Sequence, residues 1–171
     1  RSLFFKPDGS KMYIVGTNGD EVVEYNVSPA WDVSGATYLQ AFSVNAQEIS
    51  PRSLFFSADG TRMYTMGYTN NGVDQYSLST AWDVTSASWV REFSTSSQAT
   101  SSRGVYFKTD GTKMFICGTA DSAVVEYALS TAWDISTASY NSVSYATTYS
   151  TIRGLCFNTD GTKMFTADDT T

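Results

Sequence analysis

The run Lys11-Met12-Tyr13-Ile14-Val15-Gly16 carries apolar side chains at consecutive positions, and it recurs as Arg62–Gly67 and Lys113–Gly118. Apolar runs of this length, rich in β-branched and aromatic residues and bounded by turn residues, read as strands buried on both faces. Four such strands are expected in the first stretch of chain: Ser2–Phe5, Lys11–Gly16, Val22–Val27 and roughly 37–44. The first two are joined through Asp8-Gly9, where glycine supplies the positive φ of a tight turn and aspartate caps its own backbone. The third strand is more polar, with Glu24, Gln75 and Glu126 at matched positions, which places it further from the centre.

The pattern repeats. Arg1-Ser-Leu-Phe-Phe-Lys-Pro-Asp-Gly-Ser-Lys-Met-Tyr returns from Arg52, Arg103 and Arg153, at offsets of 51, 51 and 50 residues. Ala-Trp-Asp follows in register at 30–32, 81–83 and 132–134. A unit of 40–50 residues with four antiparallel strands predicts an all-β fold, a β-propeller of four-stranded blades. The blades are expected at 1–51, 52–102 and 103–152, with a partial fourth at 153–171.

The motif Phe-x-x-Asp-Gly-Thr-Lys-Met-Tyr, followed by Val-x-Glu-Tyr-x-Leu-Ser-Thr-Ala-Trp-Asp, resembles propeller repeats of the lactonase-like (YVTN) kind. It is also similar to the Ser-Thr-Ala-Trp-Asp-rich repeats of phage structural and bacterial surface proteins. The resemblance covers essentially the whole chain and implies the fold; propellers host many activities, so it does not by itself imply one.

A ring typically needs four to eight blades, and the chain holds about 3.4 units. It starts at Arg1 and stops at Thr171 after two strands of its last copy. The expected partners are therefore the remaining blades of a longer polypeptide or, less favoured, a second copy completing a ring of about seven.

Residues present in every unit are first explained by packing that every unit shares. Trp31, Trp82 and Trp133 are expected to wedge between blades, and Met12, Met63, Met114 and Met164 to fill the core. Asp32, Asp83 and Asp134 are expected to accept turn N–H bonds. Cys117 and Cys156 align with apolar positions of buried strands, so two packed free thiols are expected.

The chemistry is constrained by what is missing. The 171 residues contain no histidine, which removes Ser–His–Asp and Cys–His catalysis and imidazole metal sites. Eleven basic against seventeen acidic residues, a net charge of −6, argue against nucleic acid and polybasic membrane attachment. No apolar run reaches the length of about 18 residues that a membrane span needs, so no membrane insertion is expected. Asp-Gly-Thr superficially suggests calcium, but the 12-residue loop with its terminal Glu is absent; no cofactor is expected.

Arg1, Arg52, Arg103 and Arg153 each open a first strand, so a closed ring would carry guanidinium groups around one channel mouth. Pairing with a carboxylate or carbonyl of the adjacent blade is the plainer expectation; an anion site is the sharper one. Around the same mouth, the loops that differ between units supply Glu48, Tyr68, Asn70, Asn71, Asp121 and Tyr149 as candidate ligand contacts. These features favour a non-catalytic binding or structural module, outside the cell or on a virion surface, contacting glycan or protein. The alternatives are a metal-dependent lactonase-like hydrolase, with Glu48, Asn18 and Asn70 as partial ligands, and an intracellular scaffold for partner peptides.

Overall fold

The computed structural model describes residues 1–118, 122–148 and 151–168. The first unit contains β1 (Ser2–Phe5), β2 (Lys11–Gly16), β3 (Glu21–Val27) and β4 (Ala36–Ser43). The second contains β5 (Pro51–Phe56), β6 (Arg62–Gly67), β7 (Gly72–Leu78) and β8 (Ala87–Ser94). The third contains β9 (Ser102–Phe107), β10 (Lys113–Gly118), β11 (Ala123–Leu129) and β12 (Ala138–Ala146). Last come β13 (Ile152–Phe157) and β14 (Met164–Asp168). Each unit of four is one antiparallel sheet in sequence order, and β13–β14 form a two-stranded hairpin.

The turns show why the register holds. Asp8 Oδ1 accepts from Ser10 N at 2.9 Å while Gly9 sits at φ 73°. Asp59, Asp110 and Asp160 accept in the same way from the residue two further on. Each turn thus pairs the last first-strand phenylalanine with the methionine opposite, Phe5 with Met12 and Phe157 with Met164. Successive first strands lie side by side, β1 against β5, β5 against β9 and β9 against β13. Sheets that meet through their first strands radiate from a shared axis, which is the arrangement of propeller blades.

The core lies between the sheets. Tyr13 and Val15 of the first sheet pack with Leu54, Phe56, Met63 and Tyr76 of the second. Tyr64 and Met66 of the second pack in turn with Phe107, Met114, Ile116 and Tyr127 of the third. The joint is made by the Ala-Trp-Asp turn. Trp82 N donates to Gly60 O at 3.0 Å, which holds the tryptophan at φ 66°, a left-handed conformation few bulky residues adopt. Its indole then lies over Gly60, where any Cβ would overlap the ring, and stacks on Phe4 of the preceding blade at 6.4 Å. Tyr13 Oη and Lys11 Nζ of that blade donate to the Trp82 carbonyl at 2.8 and 3.1 Å. Asp83 accepts from Thr85 N and folds a single 3-10 turn, as Asp32 and Asp134 do in their own units.

The third strand lies third out from the axis, as expected, yet its Glu24, Asp74 and Gln75 are all buried. Glu24 and Gln75 cap the next blade, Glu24 accepting from Val84 N at 3.1 Å and Gln75 from Ile135 N at 3.2 Å, while Asp74 accepts from Trp89 of its own blade. Trp31, expected as a wedge between blades, is 59% exposed, because no sheet among the described residues lies on that face of its own. Cys156, expected to be packed, is exposed as well, since no sheet among the described residues covers the far face of β13, whereas Cys117 is buried and its thiol is pushed up to about 12 by desolvation. Both cysteines are free.

Replacing Trp82 or Trp133 by alanine removes an inter-blade wedge and leaves a cavity between aromatic rings. Each should cost about 3 kcal/mol in urea unfolding, and Trp31→Ala about 1 kcal/mol or less. Equal losses at all three positions would contradict the wedge.

Candidate functional site

Because each first strand is innermost and each opens with arginine, the repeat stacks guanidinium groups about the axis. Arg1, Arg52 and Arg153 line one cavity of about 230 Å³, floored by the first-strand backbones around Ser53 and Gly104. Arg103 joins the group through Tyr68, whose ring lies 5.9 Å from Arg52 Cζ and 5.2 Å from Arg103 Cζ. Cation–π contact of this kind holds a guanidinium without neutralising it. The Arg1 guanidinium also donates to Thr17 Oγ1 at 3.4 Å.

Among the described residues, Arg52 and Arg103 do not show the expected pairing with a carboxylate or carbonyl of the adjacent blade. Neither has an ion-pair partner among the described residues, and the Nε of each is buried without a hydrogen bond there. Desolvation comes first and the neighbouring guanidinium groups second in lowering the affinity of both side chains for their protons. The nearby acidic residue is occupied elsewhere. Glu48 is buried, and its carboxylate accepts from Ser50 N at 2.7 Å, Thr69 N at 3.2 Å and Asn70 N at 3.4 Å. It ties two loops of the mouth together.

The remaining candidates divide. Tyr68 is exposed beside the arginines. Asn70 donates from Nδ2 to Gln47 O, and Asn71 accepts from Ser102 N through Oδ1 at 3.3 Å, so both build the loops. Asp121 and Tyr149 lie outside the described residues. Asn18 lines a separate shallow cavity with Arg1, Thr17 and Glu21, so it does not join Glu48 and Asn70 as a ligand set. Among the described residues no group of three or more Cys, Asp or Glu is placed to hold a metal ion.

One titratable group was not singled out from the sequence. Asp74, on β7, is buried, and desolvation raises its carboxyl to about 6, against the hydrogen bond that Trp89 Nε1 donates at 2.9 Å. Glu92 and Glu48 raise it further. The signal was there in the repeat: the matched residues are Val23 and Val125, so this carboxyl breaks the pattern of the unit.

No family model matches the chain, and no curated protein matches it. Solved structures do. A candidate 6-phosphogluconolactonase from Bacteroides uniformis is 17% identical with a TM-score of 0.69 over 98% of this chain and 47% of that one. The periplasmic gluconolactonase of Pseudomonas aeruginosa is 16% identical with a TM-score of 0.62 over 98% and 46%. Hydrazine synthase from Kuenenia stuttgartiensis is 15% identical with a TM-score of 0.68 over 99% and 42%.

The fold is that of the lactonase-like propellers. At these identities the likeness carries the fold alone, and the chain spans just under half the length of the structures it matches. The expectation of a non-catalytic binding module is corrected by these neighbours, which are named for lactonases rather than for binding modules.

Asp74 gives a pH test. Its folded value lies above the ordinary carboxylate value of 3.8, so its contribution is fully present below 3.8 and is lost as pH rises through about 6. Asp74→Asn, which keeps an oxygen for Trp89, should raise the urea midpoint at pH 8. The gain should shrink below pH 6 and vanish near pH 4. A gain that is constant with pH would show that Asp74 is not held above its ordinary value.

Proposed function

We propose that the chain is part of a lactonase-like hydrolase, whose arginine-lined mouth holds the anionic part of a sugar lactone. The observation that carries the reading is the pair Arg52 and Arg103, buried at Nε, without a carboxylate partner among the described residues, and bracketing Tyr68. Uncompensated guanidinium groups at a concave site favour phosphate or carboxylate, which the planar fork binds through two parallel hydrogen bonds. The names of the lactonases that share the fold support the same substrate class.

Hydrolysis of a lactone adds water to the ring carbonyl. The carbonyl electron pair moves onto oxygen, the ring C–O bond breaks, and the alkoxide takes a proton to leave a hydroxy acid. Two separate tasks suit guanidinium groups here. One is to anchor a substrate anion remote from the reacting carbon, and the other is to stabilise the oxyanion as it develops. Tyr68 supplies a face on which the apolar side of a sugar ring can stack. Glu48 is not the water-activating base, because three backbone N–H groups occupy its carboxylate.

Hydrolysis of glucono-lactone and its 6-phosphate, followed by acid release, tests the proposal. Arg52→Ala and Arg103→Ala should raise KM for the phosphorylated lactone roughly 10- to 100-fold, with a smaller effect on the neutral one. Inorganic phosphate should raise Tm for the parent protein and not for the double variant, since anion binding stabilises only a protein that has the site. Failure of the parent to hydrolyse either lactone, or variants that match it on both, would overturn the reading.

A further inference from the structure

Glycine closes the second strand of each four-stranded sheet, as Gly16, Gly67 and Gly118. Of these three, only Gly67 has a carboxylate lying over it. A Cβ built on Gly67 would overlap Glu48, whereas one on Gly16 would approach Arg1 N and one on Gly118 the backbone of Thr100 and Ser101. Glu48 is itself a departure from the repeat. The matched residue of the next loop is Ala99, which is buried in the core between the second and third sheets. Alanine therefore serves this position where packing is the only demand. A carboxylate buried there is costly unless hydrogen bonds compensate it. Among the described residues no cation pairs with Glu48, and backbone N–H groups do the compensating.

Those N–H groups identify its work. Ser50 N belongs to the turn of Glu48 itself, but Thr69 N and Asn70 N belong to the loop between β6 and β7. That loop begins with Tyr68, whose own N–H donates to Ser50 O at 3.3 Å. Asn70 adds a bond from Nδ2 to Gln47 O. From the other side, Thr95 N donates to Asn71 O at 2.9 Å and Ser102 N to Asn71 Oδ1 at 3.3 Å. The bond to Asn71 O is common to the units, since Val44 N and Thr147 N donate in the same way to Asp20 O and Ser122 O. The grip of Glu48 is an addition to that framework. Every residue of the clamp lies between 47 and 103, in joints whose two sheets are both described. The exposed Tyr68 ring thus stands on a loop held from both sides, against Arg52 and Arg103.

We infer that Glu48 is a positioning residue, which sets the Tyr68 ring across Arg52 and Arg103 and so fixes how a phosphorylated sugar lies in the mouth. The inference rests on the lactonase-like reading and deepens it: the guanidinium groups hold the anion, and Glu48 acts through Tyr68 on the sugar. An exposed ring on an unclamped loop samples several orientations, and binding then carries the entropic cost of ordering it.

Position and charge can be separated. The carboxylate favours the charged form of Arg52, although desolvation and the neighbouring arginines act in the opposite direction. Gly67→Ala keeps that charge and displaces the carboxylate, because the new methyl takes its place. Gly67 lies outside the left-handed region, so alanine suits its backbone. Glu48→Gln drops the charge and keeps an oxygen for the loop N–H groups.

A double-variant cycle on the 171-residue chain tests the inference. It is read by the calorimetric Kd for 6-phosphogluconate, the acid that opening of the phosphorylated lactone releases, and by KM and kcat for the lactone. Glu48→Ala, Gly67→Ala and Tyr68→Ala should each weaken binding of the acid about 10-fold. Adding either of the first two to Tyr68→Ala should weaken it no further, because the effect travels through that ring. Glu48→Gln should bring the affinity back to within about 3-fold of the parent. Inorganic phosphate has no sugar to stack, so its loss in the same variants should stay below about 3-fold. Hydrogen exchange at the Thr69 and Asn70 amides should quicken in Glu48→Ala and Gly67→Ala, and exchange at Tyr64 within β6 checks that each variant is folded. Additive losses in the cycle, equal losses for phosphate and the acid, or no rescue by Glu48→Gln would overturn the inference and leave the lactonase-like reading standing. Coupled losses in a protein that hydrolyses neither lactone would overturn that reading and sustain the role of Glu48. No binding of the acid or of phosphate at about 1 mM would overturn both.

Discussion

Everything in this molecule depends on an indole resting on a glycine. The Asp-Gly turn leaves a flat floor without a Cβ, and the Ala-Trp-Asp turn of the same blade is bonded back onto that glycine's carbonyl. The tryptophan accepts a left-handed backbone that costs on the order of 1 kcal/mol or more, offset by contact with rings of two blades at once. It is therefore both the lid of its own blade and the attachment point of the preceding one. The polar residues follow the same logic: a tyrosine or lysine on the preceding second strand finds the tryptophan carbonyl, and a glutamate or glutamine on the third strand finds the N–H two residues on. A buried carboxylate such as Glu24 is tolerated because these partners satisfy it.

The same repetition has a consequence at the axis. Packing requires each first strand to be innermost, and the repeat gives each one an arginine at the same height. Like charges are thus concentrated by symmetry rather than chosen singly. Along the strands the repeat supplies partners for its lysines, as in Lys11–Glu24 and Lys113–Glu126. At the mouth no carboxylate among the described residues pairs with Arg52 or Arg103, and Tyr68 faces both. Structural demands that recur in every blade explain the arginines' position; they do not explain why two of them remain unneutralised in an acidic chain.

The blade architecture was legible from residue spacing because each unit repeats the same local choices: Asp-Gly turns, two-faced apolar strands and a fixed Trp. The free thiols and the capping role of Asp83 followed from the same alignment. Environment was legible only where neighbours on both sides are the same. Cys156 and Trp31 occupy buried positions of the repeat, yet each lies on a face with no blade beside it among the described residues, so burial inferred from the aligned units fails there. Glu24 and Gln75 look like surface residues in one strand and become buried caps once the next blade arrives. Pairing of Arg52 and Arg103 was misjudged because composition counts acids without placing them, and Glu48 faces the loop amides.

Departures from the repeat carry different information from the repeat itself. Asp74 stands where valine stands in the other two blades, and burial raises its carboxyl to about 6. Tyr68 has no tyrosine counterpart at Thr17 or Gly118's neighbour Thr119, and it is the residue that meets the arginines. A ring built only from identical units would present the same surface from every blade and could hold an asymmetric substrate in several equivalent orientations. One aromatic set against a symmetric positive cluster removes that equivalence, which orientation of a reacting carbonyl requires. On the proposed hydrolase reading, the residues that break the pattern near the axis, more than the motifs that define the fold, are where selectivity is to be sought.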